Sequence, residues 1–123
     1  MDKEILCIGL MSGTSLDGCD AALVKIKGDN YSLVDFITLP YSDEFRSKIR
    51  RNLSDETAKL SEVCSLNFEL GYIFKDAIDK LLEKNNLNYL DIEFVASHGQ
   101  TIWHAPKAIN GNVASTLQIG EGQ

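Results

Sequence analysis

Before Pro40 the chain carries three apolar runs, Ile5 to Met11, Ala21 to Ile26 and Tyr31 to Leu39, with a turn at Ser12 to Gly18 after the first and another at Lys27-Gly28-Asp29-Asn30 after the second. Runs of this kind bounded by glycine-containing turns read as strands, and strands joined by short turns lie antiparallel. An antiparallel three-strand meander is expected, ended by Pro40. The periodicity then changes. Ser42 to Asn52 reads as a short amphipathic helix with Phe45 and Ile49 inward and Leu53 just beyond. A longer helix is expected from Thr57 or Ser61 to about Asn85, with Leu60, Val63, Cys64, Leu70, Phe74, Ala77, Ile78, Leu81 and Leu82 on one broad inner face. Asp91 to Ser97 reads as a strand entering the turn His98-Gly99-Gln100. The rest reads as loop-rich around one strand-like stretch, Thr116 to Ile119. Three strands, two helices and a strand make an α/β arrangement: a mixed sheet, antiparallel meander plus parallel strand, with packed helices.

A chain of 123 residues is one domain with room for a real core. Its 12 basic against 18 acidic side chains leave a charge of −6, so it lacks the positive field that nucleic acid or an anionic membrane requires of a main partner. The cluster Arg46, Lys48, Arg50 and Arg51 has Asp43, Glu44, Asp55 and Glu56 around it and reads as a solvated helix face. Cys7, Cys19 and Cys64 have no CxxC spacing and read as small buried hydrophobes in a reducing interior. The run Ile5 to Met11 is too short to span a membrane and lacks the flanks of a secretory signal, so a cytoplasmic location is expected.

Chemistry concentrates in the first turn. Ser12-Gly13-Thr14-Ser15-Leu16-Asp17-Gly18-Cys19-Asp20 offers backbone amides freed by glycine, three hydroxyls and two carboxylates. Amides and hydroxyls suit phosphate oxygens; a carboxylate suits hydrated Mg²⁺. The spacing Gly13 to Gly18 imitates a P-loop, but Cys19-Asp20 stands where lysine and a hydroxyl residue belong, and a strand follows where a helix should open. This is not a Walker A loop. On its pattern alone the turn is either a tight hairpin loop or a phosphate site. The second polar turn, His98-Gly99-Gln100-Thr101, favours the latter, because strand ends of an α/β sheet converge on ligand crevices. His98 and His104 lack a third ligand nearby, so no metal site is expected there. Trp103 is either a stacking surface for a sugar ring or core.

Three segments together are specific. Gly9 to Asp20 (GLMSGTSLDGCD), Ser97 to His104 (SHGQTIWH) and Thr116 to Gly122 (TLQIGEG) closely resemble the anhydro-N-acetylmuramic acid kinase family, in the family's order and at similar intervals, and Leu70-Gly71 extends the likeness through the long helix. The resemblance covers essentially the whole chain. It implies one lobe of an actin-like ATPase of the sugar kinase and Hsp70 superfamily, with the ribonuclease-H-like core whose element order was read above. Residues 1–123 would be the N-terminal, phosphate-loop lobe of a two-lobed kinase. The implied reaction is ATP-dependent cleavage of the 1,6-anhydro ring of anhydro-N-acetylmuramic acid, giving N-acetylmuramate 6-phosphate in peptidoglycan recycling. By the same resemblance Gly13, Thr14, Ser15, Leu16, Asp17, Gly18, Cys19 and Asp20 form the ATP phosphate loop, and His98, Gln100 and Thr101 face the sugar. The superfamily's leading aspartate is replaced here by Met11 or Ser12, leaving Asp17 or Asp20 for indirect contact with Mg²⁺. The family's general-base aspartate belongs to a Gly-Asp-Phe-Arg-like segment, downstream of Gln123, so these residues alone are expected to be inactive. Full-length members commonly form homodimers. The alternatives are another sugar kinase or ATPase of the actin-like superfamily, or a stand-alone binding domain of that fold.

Overall fold

The computed structural model describes residues 3–13 and 16–120. Strands β1 (Glu4–Ser12), β2 (Gly18–Lys27) and β3 (Asn30–Pro40) form the antiparallel meander. The β2–β3 turn has Gly28 at φ 59°, a left-handed conformation that glycine adopts without steric cost. Helices α1 (Asp43–Arg51) and α2 (Leu60–Lys84) follow, then a 3₁₀ turn at Tyr89–Asp91 and strand β4 (Ile92–Ser97). The sheet order is β3-β2-β1-β4, with β4 parallel to β1. The sheet is therefore mixed, with two helices.

Alternation along the strands divides the sheet's two faces. Ile8 and Leu10 of β1 pair with Leu23 and Ala21 of β2, and all four are buried against Leu66, Leu70, Phe74, Ala77 and Leu81 of α2. Burying a leucine fully contributes about 2–3 kcal/mol, so this helix face supplies much of the core energy. It differs from the expected face at its start. Leu60 is 86% exposed and Cys64 faces solvent, while Leu66 is fully buried. At about 100° per residue, Cys64 lies some 200° around the helix from Leu66, and the sheet selects the row that continues through Leu70 and Phe74. Cys7 and Cys19 are buried as expected.

In the basic cluster of α1, Arg50 and Arg51 are exposed, as expected of a solvated face, but two of the cations also reach α2. Lys48 pairs with Glu69 at 2.6 Å, and Arg51 grips Glu62 through Nε at 3.0 Å and Nη2 at 2.5 Å. Acidic residues of α2 supply the partners, so these cations stitch α1 to α2. Asn52, 2% exposed, completes the corner by donating to Lys48 O and Glu62 Oε1 and accepting from Lys59 N–H.

The segment after His98 is more ordered than its loop-like sequence predicts. Strand β5 (Gln100–Ala105) pairs antiparallel with β6 (Ser115–Ile119), with a register shift between Thr101 and Trp103. Ile102 and Ile119 join the core beside α2. Pairing with a distant strand and burial of those isoleucines fix a strand that the turn-like start His98-Gly99-Gln100 obscures. Among the described residues, no helix is long and apolar enough to cross a membrane.

Candidate functional site

Strands β1 and β4 run parallel, so the turns at their carboxyl ends emerge on the same side of the sheet. Backbone bonds continue the pairing into both turns: His98 N–H donates to Leu10 O at 3.0 Å and Ser12 N–H to Gly99 O at 3.3 Å. The β6 end arrives at the same point. A Cβ built on Gly99 would lie 2.5 Å from Ile119 O, and one on Gly120 would lie 3.5 Å from the Gly99 Cα. Gly99 at φ +72° and Gly120 at φ +121° make this contact possible, since side chains would clash or strain at either position. Asn67 of α2 holds the arrangement by accepting from Gly120 N–H at 2.8 Å. Ser12, at the start of the first turn, and Ile119 and Gly120, at the end of β6, therefore meet at Gly99 of the second turn.

The first turn is tightly built. Leu16 has a left-handed backbone, φ 59°, while its side chain is 3% exposed in the core. A leucine in that region persists only where its surroundings over-determine it, and such residues concentrate at functional loops. Here Leu16 N–H donates to Gly13 O at 3.2 Å, and Arg46 Nε donates to Leu16 O at 3.0 Å. Tyr41 N–H donates to Asp17 O at 3.1 Å. Gly18 is packed so closely on β3 that a Cβ would lie 2.5 Å from Leu39 O. Gly13 is half-buried and Asp17 exposed; Thr14 and Ser15, named above for the phosphate loop, lie outside the described residues, as does Gly122. Burial, and then the Asp20 charge, pushes the Cys19 thiol up to about 12, leaving it a neutral packing group. Asp20 is half-buried and accepts from Thr38 Oγ1 at 2.7 Å.

The second turn divides its residues between two tasks. His98 is exposed, with Gln118 Nε2 at 3.3 and 3.4 Å from its ring nitrogens, and Gln118 Nε2 also reaches Thr101 Oγ1 at 3.4 Å. Gln100 turns inward: it is 3% exposed, accepts from Ser12 Oγ and donates to Thr101 O at 3.1 Å. His104 instead bonds Thr116 Oγ1 at 2.8 Å, and Trp103 is 37% exposed. On the sheet face opposite α2, a cavity of about 530 Å³ is lined by Gly9, Met11, Ala22 and Phe36 and by the polar residues Asp20 and His98. It is a shallow, open surface that reaches from Asp20 of β2 to His98. Among the described residues no three His, Cys, Asp or Glu side chains are grouped as a metal cage. Asp17 is exposed and Asp20 half-buried, so the two carboxylates stand in different surroundings.

Comparison with known proteins identifies the family. The family model for anhydro-N-acetylmuramic acid kinase matches residues 5–123. The chain belongs to the anhydro-N-acetylmuramic acid kinase family. It is 46% identical over 118 residues to the anhydro-N-acetylmuramic acid kinase of Clostridioides difficile strain 630, a match covering 93% of this chain and 31% of that protein. It is 45% identical over 125 residues to that of Francisella tularensis subsp. novicida strain U112, covering 98% and 33%. The enzyme of Bacillus cereus strain AH187 is 44% identical over 117 residues, covering 92% and 31%. The chain thus spans about a third of the length of the curated family members it matches. Tyr41, Asn67 and Gln118 are structural parts of the candidate site that sequence reading did not single out, and Arg46 was read only as part of a solvated helix face. Gln118 lies within a recognised motif; Tyr41 follows the end of β3, Arg46 lies within α1 and Asn67 within α2, with no pattern of their own.

Proposed function

We propose that this chain forms the phosphate-loop lobe of an ATP-dependent kinase acting on 1,6-anhydro-N-acetylmuramic acid. The observation that carries the reading is the meeting of three family motifs around Gly99, with the cavity between Asp20 and His98 beside it. In this reading the sheet is a ribonuclease-H-like half of an actin-like, two-lobed ATPase in the cytoplasm. The turn from Gly13 to Asp20 presents backbone amides to the ATP phosphates, and Asp20, with Asp17 at the rim, holds hydrated Mg²⁺ indirectly. His98 and Thr101, bridged by Gln118, face the sugar hydroxyls.

The reaction breaks the C1–O6 bond of the anhydro ring. Water adds at C1 and gives up a proton to a base, while O6 takes the terminal phosphoryl group and ADP leaves. These residues contribute positioning and phosphate binding; the base belongs to the downstream Gly-Asp-Phe-Arg-like segment and the adenosine pocket to a second lobe, and without them turnover is not expected.

The test is made on a full-length kinase carrying this segment, by measuring ADP release with and without 1,6-anhydro-N-acetylmuramic acid and detecting N-acetylmuramate 6-phosphate by mass. Sugar-dependent ADP formation that Gly13→Val abolishes, by putting a branched side chain in the phosphate path, is the expected result. ADP release indifferent to the sugar would refute the substrate, and full activity in Gly13→Val would refute the loop.

A further inference from the structure

Tyr41 follows the last residue of β3 and touches the first turn twice. Its N–H donates to Asp17 O at 3.1 Å, and its hydroxyl donates to Ser12 Oγ at 2.6 Å. Asp17 and Ser12 flank the turn, so one residue spans both of its ends. The contact does not stop there. Ser12 spends its own hydroxyl proton on Gln100 Oε1, and Gln100 donates through Nε2 to Thr101 O. The bonds therefore run in one direction, from Tyr41 through Ser12 and Gln100 to Thr101, linking the phosphate turn to the second turn.

Tyr41, Ser12 and Gln100 are 6%, 5% and 3% exposed. In such a dry setting each bond is strengthened by its neighbours, and a missing partner is costly. Burial pushes the Tyr41 phenol up to about 12, so it remains a donor at any physiological pH. The ring is itself fixed by an edge-on contact with Phe45 of α1, with centroids 5.0 Å apart.

We propose that Tyr41 is a positioning residue which, through Ser12 and Gln100, sets the phosphate turn and the sugar-facing turn in the relative geometry that phosphoryl transfer requires. This rests on the kinase reading above. Tyr41 touches neither substrate in this scheme; it holds the parts that do. Its loss is thus felt in alignment more than in binding, because small displacements of reacting groups cost far more rate than affinity.

The test uses the same full-length kinase and the variants Tyr41→Phe, Ser12→Ala and the double variant. Tyr41→Phe keeps the ring against Phe45 and the N–H bond to Asp17. The expected result is a fall in kcat of about tenfold or more, with KM for ATP and for the anhydro sugar within about threefold of wild type. Since Tyr41 acts through Ser12, the double variant should be no slower than Ser12→Ala alone, whereas independent structural losses would multiply. Wild-type kcat in Tyr41→Phe, a change confined to KM, or multiplying effects would each overturn the inference. If Tyr41→Phe does not fold, Ser12→Ala carries the test: reduced kcat at constant KM supports the role, and a raised ATP KM at constant kcat overturns it. Wild-type enzyme that makes no ADP in response to the sugar would refute the kinase reading itself, and this inference with it.

Discussion

Gly99 and Ile119 meet backbone to backbone, close enough that a Cβ on Gly99 would stand 2.5 Å from the Ile119 carbonyl oxygen. That approach brings the β5–β6 hairpin against the ends of β1 and β4. Gly99→Ala must both clash with Ile119 and hold alanine at φ +72°, which together cost about 2 kcal/mol or more. Gly111 provides the control, since its φ of +81° is similar but open space surrounds it, and Gly111→Ala should cost only about 1 kcal/mol. Urea unfolding of the two variants measures the difference; equal losses would mean that the Ile119 contact is unimportant.

Asn67 holds the next residue along. Its side chain accepts the Gly120 N–H at 2.8 Å from the middle of α2. Asn67→Ala leaves that N–H without its acceptor and should destabilise the protein by about 1–2 kcal/mol. Asn67→Asp keeps an acceptor at the same reach and should recover most of the loss. Thermal unfolding of both variants decides the point, and identical midpoints for Ala and Asp would remove the hydrogen bond from the explanation.

The Arg51–Glu62 pair predicts a dependence on acid. Hydrogen bonding from Arg51, then from Asn52, holds the Glu62 carboxyl down to about 2 from an ordinary 4.5. A carboxyl lowered in the folded state contributes stability that is complete above its unfolded value and is lost as pH falls toward the folded one. Wild type should therefore lose stability between about pH 4.5 and pH 2. Glu62→Gln should show a shallower decline across that window in denaturant titrations at stepped pH. Parallel curves for the two proteins would show that this carboxyl does not govern the acid limb.

In the function proposed above, His98 belongs to the sugar side of the candidate site. It is exposed beside Gln118 and lines the cavity with Asp20, whereas the phosphate turn is built without it. In a full-length kinase, His98→Ala should raise the KM for the anhydro sugar about tenfold and leave the ATP KM within about twofold, as expected when one substrate loses a binding contact. Steady-state kinetics with each substrate varied in turn is the measurement. A selective rise in the ATP KM would move His98 to the nucleotide side.

Much of this architecture was legible locally. The apolar runs and their glycine turns predict the β1–β3 meander because a two-residue period and a short connection leave little else for such segments to do. Helix α2 is equally legible in existence and extent, but its inner face is not: Cys64 and Leu66 are both apolar, and only docking on the sheet excludes one of them. Strand β5 was hidden because its partner β6 lies beyond an intervening loop and its first residue, Gln100, follows a turn-forming His-Gly pair. Nothing local pairs Lys48 and Arg51 of α1 with acids until α2 brings Glu69 and Glu62 alongside them.

The sequence by itself determined the three motifs, their order and the family they resemble, since residue identity and spacing are all that such recognition needs. It also determined that glycine stands where Gly99 and Gly120 must approach another backbone. Tertiary structure alone decided that the motifs share one edge of the sheet, that Gln100 faces Ser12 rather than solvent, and that Tyr41 spans the first turn. The reason is physical: these relations depend on the parallel pairing of β1 with β4 and on burial of side chains between distant segments, and no local pattern encodes a partner 88 residues away.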